Sequence, residues 1–259
     1  MTFSAAATEA LVKLTRGEVS IMRNRTALFI LLTLLACFWL TSAATAAPNT
    51  GTPDSIIILW TDGPKLKAVN LTFFPDPKGP IGIISVPRYT WLTSDHQLLT
   101  VDDYYQQYGR QKLIERLEEL FGTSIGAFIN IDQQALVDVS NALGRIQMNG
   151  KQTTLLDVFE GNYTNKPVSL QEEIRQLASA MITPATIIKV PQILWIFGTE
   201  IDSNIGSSHV MDYYKTIRFN GPGVLQKKDV PGNDLVVGNR KLRMVRPDTW
   251  SKTLKDVTS

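Results

Sequence analysis

Residues 81–92 read IGIISVPRYTWL, and this stretch decides the fold that we predict for the chain. Its first six residues are mostly isoleucine and valine, a β-branched run that is typical of a buried strand. Pro87 has no amide hydrogen to donate to a sheet, so we expect the strand to end there. Arg88 therefore follows the carboxyl end of a strand, which is where open α/β sheets usually bind their ligands.

Arg88 is the first candidate for contact with an anion. Its guanidinium is planar, donates hydrogen bonds in pairs and stays charged at physiological pH, and these properties suit phosphate. A solvated arginine just past a strand would show the same local pattern. The stretch alone leaves both interpretations open.

Three further stretches stand in a consistent order around this one. They are SIIILWTDG at 55–63, GTSIGAFINIDQQALVDVSNALG at 122–144 and EEIRQ at 172–176. With ISVPRYTWL, they resemble the LytR-CpsA-Psr family. That family has an S-(I/V)-P-R-D-T signature, an opening strand that ends in Gly-x-Asp, a strand and helix ending "l-v-D-x-l-G-G", and a segment that ends in R-x-x-R-Q.

The resemblance covers about Asp54 to Gly232 and implies both a fold and an activity. The implied fold is a single α/β domain with a mixed central β-sheet flanked by helices on both faces. The implied activity is that of exported enzymes that move polyprenyl-diphosphate-linked glycopolymers onto bacterial peptidoglycan. Carried over by position, it implies catalytic roles for Arg88 and Arg175 and ligand binding by Asp62 and Gln176.

The same resemblance implies Mg²⁺ as a cofactor and a polyprenyl chain held between the sheet and the helices. The apolar segment QILWIF at 192–197 is a candidate lining for that chain, although buried helix-helix contact explains the same residues without a ligand and is the favoured interpretation. The expected partners are a polyprenyl-diphosphate-linked glycan or peptidoglycan. The family's metal ligands are not identified by position in this chain.

Several departures from the family pattern bear on catalysis. Tyr89 stands where the family has an aspartate after "P-R", residues 66–69 lack the family's R-x-D-T, and the "R-x-R" before EEIRQ is missing. Arginine and metal positioning supply most of phosphoryl-transfer catalysis, so these losses favour reduced or absent turnover. The alternative is a non-catalytic module that binds a lipid diphosphate, a wall glycan or another envelope protein.

The N-terminal region predicts export. MRNR at 22–25, an apolar run at 27–40 and TSAATAAP at 41–48 have the three parts of a secretory signal, which could also remain as a membrane anchor. Residues 1–21 do not suit a signal, and we interpret them as a mis-assigned extension before a start at Met22. We therefore divide the chain into 1–21, a signal or anchor at 22–47, a linker at 48–53 and an extracytoplasmic domain at 54–259.

Charge argues against a nucleic-acid partner. The chain has 26 basic and 24 acidic residues, and removal of residues 1–47 leaves 22 of each. The tail at 215–259 carries ten basic and four acidic residues, which fits an anionic glycopolymer, a membrane surface or a solvated face. Cys37 is the only cysteine, so no intrachain disulfide is possible.

Asp102 and Asp103 allow two interpretations. Adjacent acids beside an arginine could hold a divalent ion, but side chains of neighbouring residues diverge, which favours a helix N-terminus. His96 and His209 are the only histidines and lie far apart in sequence, so a histidine metal site has no support.

Periodicity and capping residues predict the remaining elements. The sequence predicts an antiparallel hairpin of residues 69–74 with the strand at 81, a strand at 125–131 and a last hairpin around Gly238. Helices are expected at 111–121, at 133–143 after Asp132, from Ser169 to about 182, and at 207–217.

Overall fold

The computed structural model describes residues 54–74, 79–94, 97–163 and 168–259. The expected extension, signal or anchor, and linker lie outside these residues. Among the described residues, no helix is both long and apolar enough to cross a membrane. The described residues from 54 onward form one compact unit.

The strands follow the chain in short segments. They are β1 (Ser55–Asp62), β2 (Lys65–Phe73), β3 (Ile81–Val86), β4 (Trp91–Ser94), β5 (Gln97–Thr100), β6 (Ala127–Asp132), β7 (Ile146–Met148), β8 (Lys151–Thr153), β9 (Asp202–Ser203), β10 (Leu225–Asp229), β11 (Asn233–Val237) and β12 (Arg240–Met244).

The helices lie between and after these strands. They are α1 (Val101–Phe121), α2 (Gln133–Leu143), α3 (Leu155–Phe159), α4 (Leu170–Met181), α5 (Pro184–Ile187), α6 (Val190–Glu200), α7 (Ser207–Asn220) and α8 (Pro247–Thr258), with a 3₁₀ turn at Pro222–Val224.

Six strands form the central sheet, in the order β10-β3-β2-β1-β6-β9. The β1–β2, β2–β3 and β6–β9 pairs are antiparallel, whereas β1–β6 and β3–β10 are parallel. The mixed sheet with flanking helices confirms the predicted fold class, and the short connection between β2 and β3 makes the expected hairpin. β11 and β12 form the predicted last hairpin as a separate two-stranded sheet.

The main core lies on one face of the sheet, under α1 and α8. Alternate residues of β1, β2 and β3, including Ile57, Leu71 and Ile84, are fully buried there. Phe121 of α1 meets Trp250 of α8 edge to face, with ring centroids 5.2 Å apart. Burying apolar surface is the dominant favourable term in folding, so we expect the packing on this face to contribute most to the stability of the domain.

The residues between these point to the opposite face, where α2, α3 and α4 lie. Trp60 packs there with Leu136 and Leu155, and Ile81 packs with Ala178 of α4. Period-two alternation therefore gives each strand one set of side chains for the core and a second set for the other layer.

Capping residues fix the helix ends much as the sequence predicts. Thr100 and Asp103 form a capping box at the start of α1, which confirms the helix-end interpretation of the adjacent acids. Helix α1 begins ten residues earlier than the sequence predicts. Gly109, with φ of 79°, divides the helix into two segments, and the apolar periodicity of the second does not continue into the first, so the first segment was missed. Asp132 caps α2 and Ser169 caps α4, as expected.

Candidate functional site

A pocket of about 350 Å³ lies between the central sheet and helices α3 and α4. Its walls are mainly apolar and include Ile58 and Ile83 from the sheet with Phe159, Ile174 and Leu177 from the helices. Charged side chains of Lys67, Arg88, Glu173, Lys227 and Asp229 also line it. The cavity thus combines an apolar interior with three cations and two carboxylates.

Helix α4 is fixed over the pocket through the edge strand. The side chain of Gln171 donates to the carbonyl of Leu225 at 2.5 Å and accepts from the amide of Lys227 at 2.7 Å. These two bonds satisfy backbone groups that an edge strand would otherwise expose. They also set the distance between α4 and β10, which bounds one side of the cavity.

A polar row crosses the sheet beneath the pocket. Asp229 of β10 is in register with Ser85 of β3, which is in register with Asn70 of β2. The Ser85 hydroxyl donates to Oδ1 of Asn70 at 2.6 Å. All three residues line the cavity, so a strand-centre position that would normally be apolar is here polar.

The turn after β3 holds Arg88 at the pocket. The amide of Thr90 donates to the carbonyl of Pro87 at 2.8 Å, and the amide of Asp102, at the start of α1, donates to the carbonyl of Arg88 at 3.0 Å. From the other side, the amide of Arg243 donates to the carbonyl of Tyr89 at 3.0 Å. The turn is therefore fixed by both α1 and β12.

Tyr89 occupies the position of the family's aspartate and is held by the hairpin. Nζ of Lys241 lies 4.6 Å from the centroid of its ring, and the guanidinium carbon of Arg243 lies 5.4 Å from it. Both cations also pair with Asp234. An aromatic ring that contacts two cations cannot supply the carboxylate that the family has there.

Asp102 is engaged in structural contacts. Its Oδ1 accepts from the amide of Leu66 and from Nε2 of Gln106, both at 3.0 Å. Its Oδ2 lies 3.8 Å from Nη1 of Arg88. Asp102 therefore links β2, α1 and the turn that carries Arg88.

Asp103 is engaged as well. It caps α1 through Thr100 and pairs with Arg240 of β12 at 2.5 Å. Burial acts to raise the pKa of Asp103, but the hydrogen bonds from Thr100 and Arg240 outweigh it and lower the pKa.

Asp62 lies at the end of β1, beside the pocket. It is exposed and pairs with Lys67 at 3.1 Å. Lys67 itself lines the cavity, so Asp62 reaches the site only through this cation.

Arg175 and Gln176 are not brought to the pocket with Arg88. Nη2 of Arg175 donates to the carbonyl of Gly223 at 3.4 Å, while Gln176 donates to Glu172 at 2.7 Å and accepts from the amide of Asn149 at 2.9 Å. A helix turns about 100° per residue, and the pocket face of α4 carries residues 173, 174 and 177. Residues 175 and 176 therefore point elsewhere.

The segment 192–197 does not line the pocket either. It lies within α6, where Ile196 and Phe197 are buried and Trp195 is 64% exposed. Leu143 accepts a hydrogen bond from Lys189, just before α6, which ties that helix to α2. Helix packing accounts for Ile196 and Phe197 but not for the exposed Trp195.

The two carboxylates of the pocket differ in their surroundings. Glu173 is hydrogen-bonded by the hydroxyl of Tyr163. The half-buried carboxylate of Asp229, in contrast, has no hydrogen-bond or ion-pair partner in the described part of the chain. Burial raises its pKa, against a smaller opposing effect of Arg243 and Lys227.

A magnesium site is not preformed. Among the described residues, no three histidine, cysteine, aspartate or glutamate side chains are grouped so that they could hold a metal ion. Mg²⁺ in proteins usually takes one or two carboxylates together with substrate phosphates. The acids next to Arg88, Asp102 and Asp103, already bond to the backbone, to Thr100 and to arginines, so these two carboxylates are not free to hold the implied cofactor.

The sequence did not single out Lys67, Glu173, Lys227 or Asp229. The alternation of Leu225, Lys227 and Asp229 places them on one face of a strand, and that was the available signal. The parallel pairing of β10 with β3, which brings this strand to Arg88, depends on a connection of more than 130 residues. Such a long-range strand pairing cannot be predicted from the local sequence pattern.

Solved structures share this architecture at low sequence identity. TagV of B. subtilis has a TM-score of 0.63 and 14% identity, over 80% of this chain and 96% of that one. TagT bound to LI-WTA has a TM-score of 0.60 and 15% identity, over 83% and 92% of the two chains. Lin1025 from Listeria innocua has a TM-score of 0.59 and 14% identity, over 80% and 97%.

No protein-family model matches the chain, and no curated protein matches it. The similarity to known proteins is therefore structural. TagV and TagT are LytR-CpsA-Psr proteins, and residues 54–259, as far as they are described, have the LytR-CpsA-Psr fold.

Proposed function

We propose that the protein binds a polyprenyl-diphosphate-linked glycopolymer of the cell envelope and transfers it to peptidoglycan with reduced catalytic power. The observation that carries the proposal is the pocket, in which an apolar interior is joined to Arg88, Lys67 and Lys227. A lipid diphosphate has the matching composition, with an apolar chain attached to a compact, multiply charged anion.

Three cations in the pocket are available to bind the diphosphate. Arg88 is 53% exposed and only loosely paired, so its paired N–H groups are available to phosphate oxygens. Lys227 has no carboxylate within ion-pair distance in the described structure, and Lys67 is held by an exposed pair with Asp62 that is readily replaced. We expect the diphosphate to lie among these three groups, with the prenyl chain against Ile83, Ile174 and Leu177.

The fold neighbours support this ligand class. One of the similar structures is TagT bound to LI-WTA, and TagV and TagT attach wall teichoic acid to peptidoglycan. At 14–15% identity these proteins show the fold, and the pocket residues provide the argument for the present chain. An N-terminal signal or anchor would place the domain on the extracytoplasmic side of the membrane, where such lipids are presented.

The same geometry supports low turnover. Tyr89 replaces the family's acid, Asp102 and Asp103 are engaged elsewhere, and Arg175 is not directed into the pocket. Positioned cations still stabilise the charge that develops on a transferred phosphate, but with fewer groups than the family pattern implies. A non-catalytic lipid-diphosphate or wall-glycan binding module is the second candidate, and the engaged acids favour it.

The test is binding and turnover by the purified full chain. Farnesyl diphosphate serves as a soluble probe in titration calorimetry, with and without Mg²⁺, and release of polyprenyl phosphate from a polyprenyl-diphosphate-linked N-acetylglucosamine measures transfer. We expect the Arg88→Ala variant to bind farnesyl diphosphate about 10-fold or more weakly, since a charge-assisted pair contributes about 1.5–3 kcal/mol. Arg246→Ala is the matched control, because Arg246 is 81% exposed and pairs with Asp248.

The outcomes separate the candidates. Release of polyprenyl phosphate that depends on Arg88 supports a working transferase. Arg88-dependent binding without release supports the binding module. Equal affinity of wild type and Arg88→Ala for the diphosphate would contradict both.

A further inference from the structure

Asp229 is a pocket acid that takes no part in binding the diphosphate. It lines the cavity with Arg88, and its register with Ser85 directs its side chain to the same face of the sheet. A carboxylate is unfavourable in a diphosphate-binding pocket, because it repels the ligand. Its presence there needs a reason other than affinity.

Its surroundings keep the carboxylate available. Glu173, the other pocket acid, is held by Tyr163, whereas Asp229 has no hydrogen-bond or ion-pair partner among the described residues. Lys227 lies two positions along the same strand without forming an ion pair with it. The charged groups around Asp229 are Lys67, Arg88, Glu173, Lys227, Asp234 and Arg243.

We propose that Asp229 is the general base of the transfer reaction, an inference that rests on the proposed function. A hydroxyl of the acceptor glycan attacks the phosphorus that bears the donor sugar, and a new P–O bond forms. The P–O bond of the diphosphate bridge breaks, and polyprenyl phosphate leaves with the electron pair. The carboxylate of Asp229 takes the proton of the attacking hydroxyl and returns it to solvent.

A base at Asp229 is consistent with the positions where the chain differs from the LytR-CpsA-Psr sequence pattern. Tyr89, which lies against Lys241 and Arg243, carries no carboxylate, and the carboxylates of Asp102 and Asp103 already form hydrogen bonds and ion pairs. A half-buried carboxylate whose pKa is raised by burial is a better base than an ordinary aspartate. Asp229 lies on β10, which pairs with the strand that leads to Arg88.

The experiment compares wild type with Asp229→Asn and Asp229→Glu in single-turnover transfer. A general base contributes about 10²–10⁴-fold, so we expect Asp229→Asn to slow transfer at least about 100-fold. Its affinity for farnesyl diphosphate should be unchanged or a few-fold tighter, because one negative charge is removed. The wild-type rate should rise with pH through the pKa of Asp229, and this acid limb should be absent in Asp229→Asn. Asp229→Glu should restore part of the rate together with the acid limb.

The control is Asp256→Asn. Asp256 is exposed on α8 and pairs with Lys228, whose side chain points away from the pocket, so it removes the same charge near β10. We expect it to leave the rate within about twofold. An Asp229→Asn rate within about threefold of wild type, or an unchanged acid limb, would overturn the base assignment while leaving the proposed function intact. A wild type that binds the diphosphate but releases no polyprenyl phosphate would overturn both transfer and the base.

Discussion

Nη1 of Arg88 lies 3.8 Å from Oδ2 of Asp102, and the two side chains are 53% and 20% exposed. A contact of this length in partly solvated surroundings contributes about 0–1 kcal/mol. Asp102 is anchored more firmly by the amide of Leu66 than by the arginine. It therefore holds a charge beside Arg88 that competes with any anion in the pocket.

Asp102→Asn should strengthen anion binding. The amide oxygen of asparagine can still accept from Leu66 and Gln106, while the negative charge that competes for Arg88 is lost. We expect farnesyl diphosphate to bind up to about fivefold more tightly at low salt, with a smaller gain at high salt. Weaker binding in calorimetry would instead mean that Asp102 positions Arg88.

Arg175→Ala and Gln176→Ala should leave diphosphate binding within about twofold of wild type. Both side chains bond to groups that are not part of the pocket lining. The family resemblance implies that these two residues act together with Arg88, whereas the structure places both outside the pocket lining. The two substitutions therefore test which of these assignments is right. A 10-fold loss of affinity in either variant would restore the implied role.

The fold was largely predictable because its signals are local. The continuous apolar run at 55–60, the proline after β3, and the caps at Asp132 and Ser169 each act within a few residues. Gly109 shows the limit of this reasoning. It interrupts the periodicity of α1, so the sequence predicted only the second half of that helix.

The site was less predictable because its charges come from distant segments. Arg88 was found because it follows a strand directly. Lys227 and Asp229 reach it only through the parallel β3–β10 pairing, which no local pattern encodes. Arg175 was assigned by motif position, and the rotation of α4 about its axis, which packing decides, turned it away.

Leu177→Trp should separate lipid from diphosphate binding. Leu177 is partly buried on the pocket face of α4, and a larger ring there would fill part of the 350 Å³ cavity. We expect affinity for farnesyl diphosphate to fall at least about fivefold while inorganic pyrophosphate binds as in wild type. The pyrophosphate titration in the same variant is the control for folding. Equal losses for both ligands would indicate a damaged site rather than a blocked one.

Asp229→Asn should become relatively more stable as the pH rises. Burial raises the folded-state pKa of Asp229 above its ordinary value of 3.8, so ionisation is less favourable in the folded state than in the unfolded state. The free energy of unfolding of the wild type should therefore fall as pH rises from about 3.8 through the raised pKa, and the asparagine variant should lack this contribution.

The measurement is urea unfolding of both proteins at several pH values. The difference in free energy of unfolding should grow with pH over that interval and stay constant above it. A pH-independent difference would mean that the folded state does not disfavour the charge on Asp229. Asp256→Asn, which changes an exposed carboxylate, should show no such growth.

Gly82→Ala should destabilise the domain without touching the pocket. An ideal Cβ on Gly82 would lie 2.8 Å from both Cγ2 and the carbonyl oxygen of Val257, in the buried contact between β3 and α8. Overpacking of this kind costs about 1–3 kcal/mol. Gly198→Ala is the matched control, because a Cβ there meets nothing within 4 Å and alanine favours the helix by up to about 1 kcal/mol. Opposite shifts of the urea midpoint are expected, and an unchanged midpoint for Gly82→Ala would mean that α8 can move away from the sheet at little cost.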